Sequence, residues 1–131
     1  MPFFIKGKKG KYCVMWDETC INIKHNNTLS DNQCEWFALV EALMYIEAVY
    51  ADKNVTIYTD SVLLLRQLKG KCADSCVPDI KSEDRYRIKS ASLTPIYLKW
   101  NSYKNRLTGV VDITYRKCTK EENLARRELE K

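Results

Sequence analysis

Apolar residues fall into short alternating runs at the start of the chain and into three- and four-residue spacing after it. Phe3-Phe4-Ile5 leads into Gly7-Lys8-Lys9-Gly10, whose glycines suit a tight turn. Tyr12-Cys13-Val14-Met15-Trp16 follows, then Asp17-Glu18 as a second turn, then Cys20-Ile21-Asn22-Ile23-Lys24, where Ile21 and Ile23 alternate with polar neighbours. This pattern predicts a meander of short antiparallel strands. His25-Asn26-Asn27-Thr28 reads as a loop and Ser30 or Asp31 as a helix cap. Trp36, Leu39, Val40, Leu43, Ile46 and Val49 then recur at helical spacing to about Tyr50, and Asp52-Lys53-Asn54 breaks the pattern.

Val55-Thr56-Ile57-Tyr58-Thr59-Asp60 is rich in β-branched and aromatic residues and predicts a strand. Ser61 caps a helix from Val62 to about Leu68, which Gly70 ends. Residues 71–84 hold few large apolar groups and read as an exposed insertion. A helix is expected from Leu93 to about Leu107 with Pro95 in its first turn, then a strand from Val110 to Tyr115 introduced by Gly109. The tail from Lys120 to Lys131 reads as a charged helix held by Leu124 and Leu129. The order βββ-α-β-α-α-β-α predicts one α/β domain over residues 1–131, built on a mixed sheet.

Composition narrows the possibilities. With 131 residues, 45% hydrophobic and 30% charged, the chain has ordinary globular character. It has no run near the roughly 20 apolar residues of a membrane span, and no small-residue cleavage site follows MPFFIKGKKGK. An intracellular, cytoplasmic protein is the expectation. Cys13, Cys20, Cys34, Cys72, Cys76 and Cys118 are scattered without zinc-site spacing, so they read as reduced thiols. The formal charge of +5 gathers in three clusters: Lys6, Lys8, Lys9 and Lys11; Arg85, Arg87 and Lys89; Arg116, Lys117, Lys120, Arg126 and Arg127. If the fold brought them to one face they could follow a phosphate backbone.

Two acids stand out by position. Glu35 lies early in the long predicted helix and Asp60 ends the strand after it, at an edge where α/β sheets commonly bind ligands. Each also has a plain structural role open to it: Glu35 at the positive end of a helix, Asp60 as a cap shared with Ser61.

The stretches Asp31-Asn32-Gln33-Cys34-Glu35-Trp36-Phe37-Ala38-Leu39 and Val55-Thr56-Ile57-Tyr58-Thr59-Asp60-Ser61 resemble the core of type 1 ribonuclease H. Tyr86-Arg87-Ile88-Lys89, Pro95-Ile96-Tyr97 and Lys120-Glu121-Glu122-Asn123 are similar to later parts of that family. The resemblance spans nearly the whole chain. It implies a ribonuclease H-like α/β fold, a mixed five-stranded sheet with helices on both faces. It also implies an RNA/DNA hybrid as ligand, with four carboxylates holding two Mg²⁺ for cleavage of the RNA strand. Glu35 and Asp60 match two of those acids, and Asn32 matches a hybrid-contacting asparagine.

The remaining two positions depart from the pattern. Lys6 stands at the first-strand acid and Arg127 at the last-helix acid; Arg116 to Thr119 contains no histidine, and the only one, His25, lies elsewhere. A formal −4 becomes −2 and +2. An ammonium about 5 Å from Mg²⁺ costs roughly 6–7 kcal/mol at an effective dielectric near 20, comparable to a micromolar binding energy of about 8 kcal/mol. The expectation is a degenerate active site and a domain that binds RNA/DNA hybrid or double-stranded RNA without a cofactor. Asn32, Lys6, Lys8, Arg116 and Arg127 are the expected contacts. A protein partner fits the same inactive class; a membrane does not. The alternative is an active ribonuclease H using Mg²⁺ or Mn²⁺ at Glu35 and Asp60, with Asp17 or Glu128 as a substitute ligand. Asp112 reads as a surface or paired residue.

Overall fold

The computed structural model describes residues 2–49 and 53–131, so the expectations at Tyr50 and Asp52 lie outside the described residues. The alternating amino-terminal runs form β1 (Phe3–Lys8), β2 (Lys11–Trp16) and β3 (Thr19–His25). The β1–β2 turn is shorter than the sequence suggested. Lys9 and Gly10 alone make it, at φ 52 and 75, the two left-handed positions of a type I′ hairpin.

Gly7 is a strand residue and has another purpose. A Cβ there would lie 2.3 Å from the backbone of Cys34 and Glu35. Its missing side chain lets β1 run against the helix α1 (Asp31–Val49). That helix starts with a reciprocal cap: Gln33 N–H donates to Ser30 Oγ at 3.2 Å, and Ser30 N–H donates to Gln33 Oε1 at 2.8 Å. It buries Trp36, Leu39, Leu43 and Ile46 against the sheet and the later helix α3 (Thr94–Leu107), where Trp36 and Trp100 meet edge to face at 5.6 Å.

β4 (Asn54–Thr59) and β5 (Asp112–Lys117) pair in parallel, and β4 also pairs in parallel with β1. The sheet order is β3-β2-β1-β4-β5, a mixed five-stranded sheet as expected. α2 (Val62–Lys69) is capped by Ser61, as its sequence requires, but Gly70 closes it with right-handed backbone at φ −79. β5 begins two residues later than expected, leaving Val110 exposed. The last helix, α4 (Leu124–Leu129), is shorter than the charged tail suggested. It covers the face of β1 and β2 opposite α1, through Ala125, Leu124 and Leu129 against Phe4, Cys13 and Met15.

The segment 71–84 is more anchored than its composition suggests. Val77 and Ile80 are buried in the core, and the buried Lys69 ammonium donates to the carbonyls of Asp74 and Val77, both at 2.9 Å. No helix among the described residues is long and apolar enough to cross a membrane.

Candidate nucleic-acid interface

Parallel pairing brings the carboxyl ends of β1 and β4 to one edge, and the close approach at Gly7 brings the first turns of α1 to the same place. Lys6 from β1, Glu35 from α1 and Asp60 just past β4 therefore meet. The Lys6 ammonium lies 2.7 Å from Asp60 Oδ1 and 3.0 Å from Glu35 Oε1. Lys6 is 8% exposed and Glu35 3%, so this is a buried ion triad.

Two groups from the last helical region close on Asp60. Asn123, fully buried at the N-cap of α4, donates from Nδ2 to Ile5 O at 3.0 Å and to Asp60 Oδ2 at 3.4 Å. Its Oδ1 accepts the N–H groups of Ala125 and Arg126, which fixes where α4 starts. That start directs Arg126 inward, with Nη1 3.8 Å from Asp60 Oδ2.

Burial acts against the charge on Lys6, but Glu35 and Asp60 outweigh it and hold its pKa above the ordinary value. Burial pushes the Glu35 carboxyl up to about 7, against the pull of Lys6. The cation stays charged, with Asp60 as its closest partner. Glu35 Oε2 is buried without a hydrogen-bond partner, the environment that raises its carboxyl.

An open cleft of about 300 Å³ lies over this triad, bordered by Lys8, Asn32, Lys120 and Arg126. Asn32 Oδ1 is buried there with no partner. Lys6, Lys8, Asn32, Glu35 and Asp60 are thus brought together. Arg127 is not: it is exposed, and its neighbour Arg126 occupies the cation position by Asp60. Arg116 turns away to Asp79, at 2.8 Å. Asp17 sits in the β2–β3 turn, Glu128 pairs with Lys131 at 3.0 Å, and Asp112 is exposed at the start of β5. The lysines of the β1–β2 hairpin and the basic residues near α4 converge, whereas Arg85 pairs with Asp74 and its cluster does not line the cleft. Lys120, Asn123 and Arg126 were not singled out from sequence as contacts. Asn123 before a short apolar-bounded helix was the available signal, since an N-cap sets the helical phase of every residue after it.

A pair of Mg²⁺ ions needs hard oxygen ligands and tolerates no cation among them. Lys6 contacts both acids, Arg126 approaches Asp60, and no group of three or more His, Cys, Asp or Glu is placed to hold a metal ion among the described residues. These residues do not fit a two-metal centre.

No family model and no curated protein sequence matches the chain. Its fold is similar to that of solved structures. The crystal structure of LC11-RNase H1 in complex with RNA/DNA hybrid matches with a TM-score of 0.66 at 17% identity, over 97% of this chain and 91% of that one. RNase H1 from the halophilic archaeon Halobacterium salinarum NRC-1 matches with a TM-score of 0.58 at 17% identity, over the same shares of 97% and 91%. At that identity the likeness establishes the ribonuclease H-like fold.

Proposed function

We propose that this chain binds nucleic acid, RNA/DNA hybrid or double-stranded RNA, in the cleft over Lys6, Glu35 and Asp60, and that it holds the duplex without two-metal hydrolysis. One observation carries the reading: a buried ammonium contacts both retained acids, in a cleft rimmed by further cations. Lys6 does internally what a metal would otherwise do, neutralising the acid pair. Lys8, Lys120 and Arg126 outnumber the single rim carboxylate, Asp31, and leave the rim positive, which suits phosphates. Asn32 lines the cleft, at the position the resemblance gives to a hybrid-contacting asparagine.

The test is fluorescence anisotropy with a labelled RNA/DNA hybrid in EDTA, across a salt series. Binding that needs no divalent ion, weakens linearly in log salt and is reduced by Lys8→Glu is the expected result. Absence of binding at low salt removes the proposal, as does binding that appears only with Mg²⁺ or Mn²⁺.

A further inference from the structure

Beside the cleft lies a second open pocket of about 240 Å³, between the β1–β2 hairpin and α4. Lys6, Lys8 and Arg126 line both, so the pocket continues the cleft, and Lys9 and Lys11 complete its cationic lining. Three features set it apart from a solvated basic surface.

Lys8 and Lys11 are direct cross-strand partners, placing like charges opposite one another where a sheet ordinarily places opposite ones. Lys9 between them is held at φ 52, a conformation ordinary residues seldom adopt, in the turn itself. Among the described residues no ion pair engages the ammonium groups of Lys8, Lys9 or Lys11; the nearby Asp31 carboxylate accepts the Lys9 backbone N–H at 2.7 Å instead. The pocket's one carboxylate, Glu130, is engaged with Arg126 at 3.0 Å. Lys6 is already neutralised by Glu35 and Asp60. The uncompensated charge therefore belongs to the hairpin, and it asks for a compact anion carrying more than one charge.

Charge limits which anion. Leu129 and Glu130 of the α4 end also line the pocket, beside the cations. An internal phosphodiester brings a single charge to them. A terminal phosphomonoester carries close to two charges at neutral pH, the better match to three lysines with no acidic ion-pair partner.

We propose that the pocket formed by Lys8, Lys9, Lys11 and Arg126 binds the terminal phosphate of a nucleic-acid strand lying in the cleft. The inference rests on the duplex reading for its route of entry, but the pocket's preference for a phosphomonoester can be measured apart from it.

The experiment compares hybrids that end in a hydroxyl, a 5′-phosphate or a 3′-phosphate, by anisotropy in EDTA at fixed ionic strength. Backbone amide NMR during titration with inorganic pyrophosphate is run alongside. The expected result is at least about tenfold tighter binding of one phosphorylated end, with the two phosphate positions identifying which strand polarity enters. Lys11→Ala should bring the ratio of phosphorylated to unphosphorylated affinity close to one, and pyrophosphate should shift the amides of Lys8 to Lys11. Equal affinity for all three ends overturns the proposal and leaves the duplex reading intact. If no hybrid binds, the duplex reading fails, and the NMR titration then decides the pocket alone: shifts at residues 8–11 that Lys11→Ala abolishes keep it as a free-phosphate site, and unmoved amides overturn it.

Discussion

Lys6 and Lys8 lie two residues apart on the α4-facing side of β1, yet their surroundings differ completely. Lys6 is enclosed, with Asp60 at 2.7 Å and Glu35 at 3.0 Å. Lys8 is exposed at the strand end, opposite Lys11 and without an acidic partner among the described residues. A buried cation survives only when paired, because leaving water costs several kcal/mol per ion. Lys6 is accordingly a structural charge, bound to Glu35 and Asp60. A solvated cation needs no partner, so the exposed Lys8 and the half-buried Lys11, neither of them ion-paired, are free to meet a ligand's charge. The same residue type is thus enclosed by acids at one position and left facing solvent at the other.

The largest effect should come from breaking the enclosed member. Lys6→Met leaves Glu35 and Asp60 together without their cation and should cost about 3–5 kcal/mol of stability in urea denaturation. A loss under 1 kcal/mol would mean that the three charges do not form a buried, mutually dependent unit.

Glu35 sharpens the contrast through pH. Its carboxyl is raised from 4.5 to about 7 in the folded state, so the folded chain binds the extra proton between those values. Stability should therefore fall as pH rises from 4.5 to 7, by about 3 kcal/mol in all, and level off above. Glu35→Gln should flatten that slope, as read from denaturation midpoints across the range.

Gly7 tests what positions the triad. Gly7→Ala forces a Cβ into the backbone of Cys34 and Glu35 and should cost about 1–3 kcal/mol. It should also loosen the Lys6–Glu35 contact, visible as a Glu35 pKa that moves on NMR titration.

The smallest stability effect belongs to the open member. Lys8→Ala should change stability by no more than about 0.5 kcal/mol. It should weaken hybrid binding and reduce the salt dependence by about one ion. A substantial loss of stability with unchanged binding would reverse the roles assigned to the two lysines.

Element order and type were legible from sequence because periodicity carried them. Alternation in the first strands and helical spacing from Trp36 onward both report burial on one side. Glu35 and Asp60 could be picked out because a strand end and a helix start are positions that topology brings together. The choice between Arg126 and Arg127 was a matter of helical phase. Adjacent residues differ by about 100° around the axis, and only the Asn123 cap, seen in three dimensions, fixes which of them faces Asp60.

Gly7 read as a turn glycine because a close approach between strand and helix leaves no local signature. Segment 71–84 read as exposed because its anchors, Val77 and Ile80, are too few to make a pattern. The ion pair of Arg116 with Asp79, 37 residues away in sequence, is visible only in three dimensions. Such long-range pairings have no one-dimensional trace.

Incubation of a labelled RNA/DNA hybrid with saturating protein and Mg²⁺ or Mn²⁺, comparing the native chain with Asp60→Asn, tests the central claim most directly. The account predicts an intact hybrid with both proteins, recovered as a complex with the native chain. Cleavage by the native chain that Asp60→Asn abolishes would contradict it, because Lys6 could not then be holding the place of the metals.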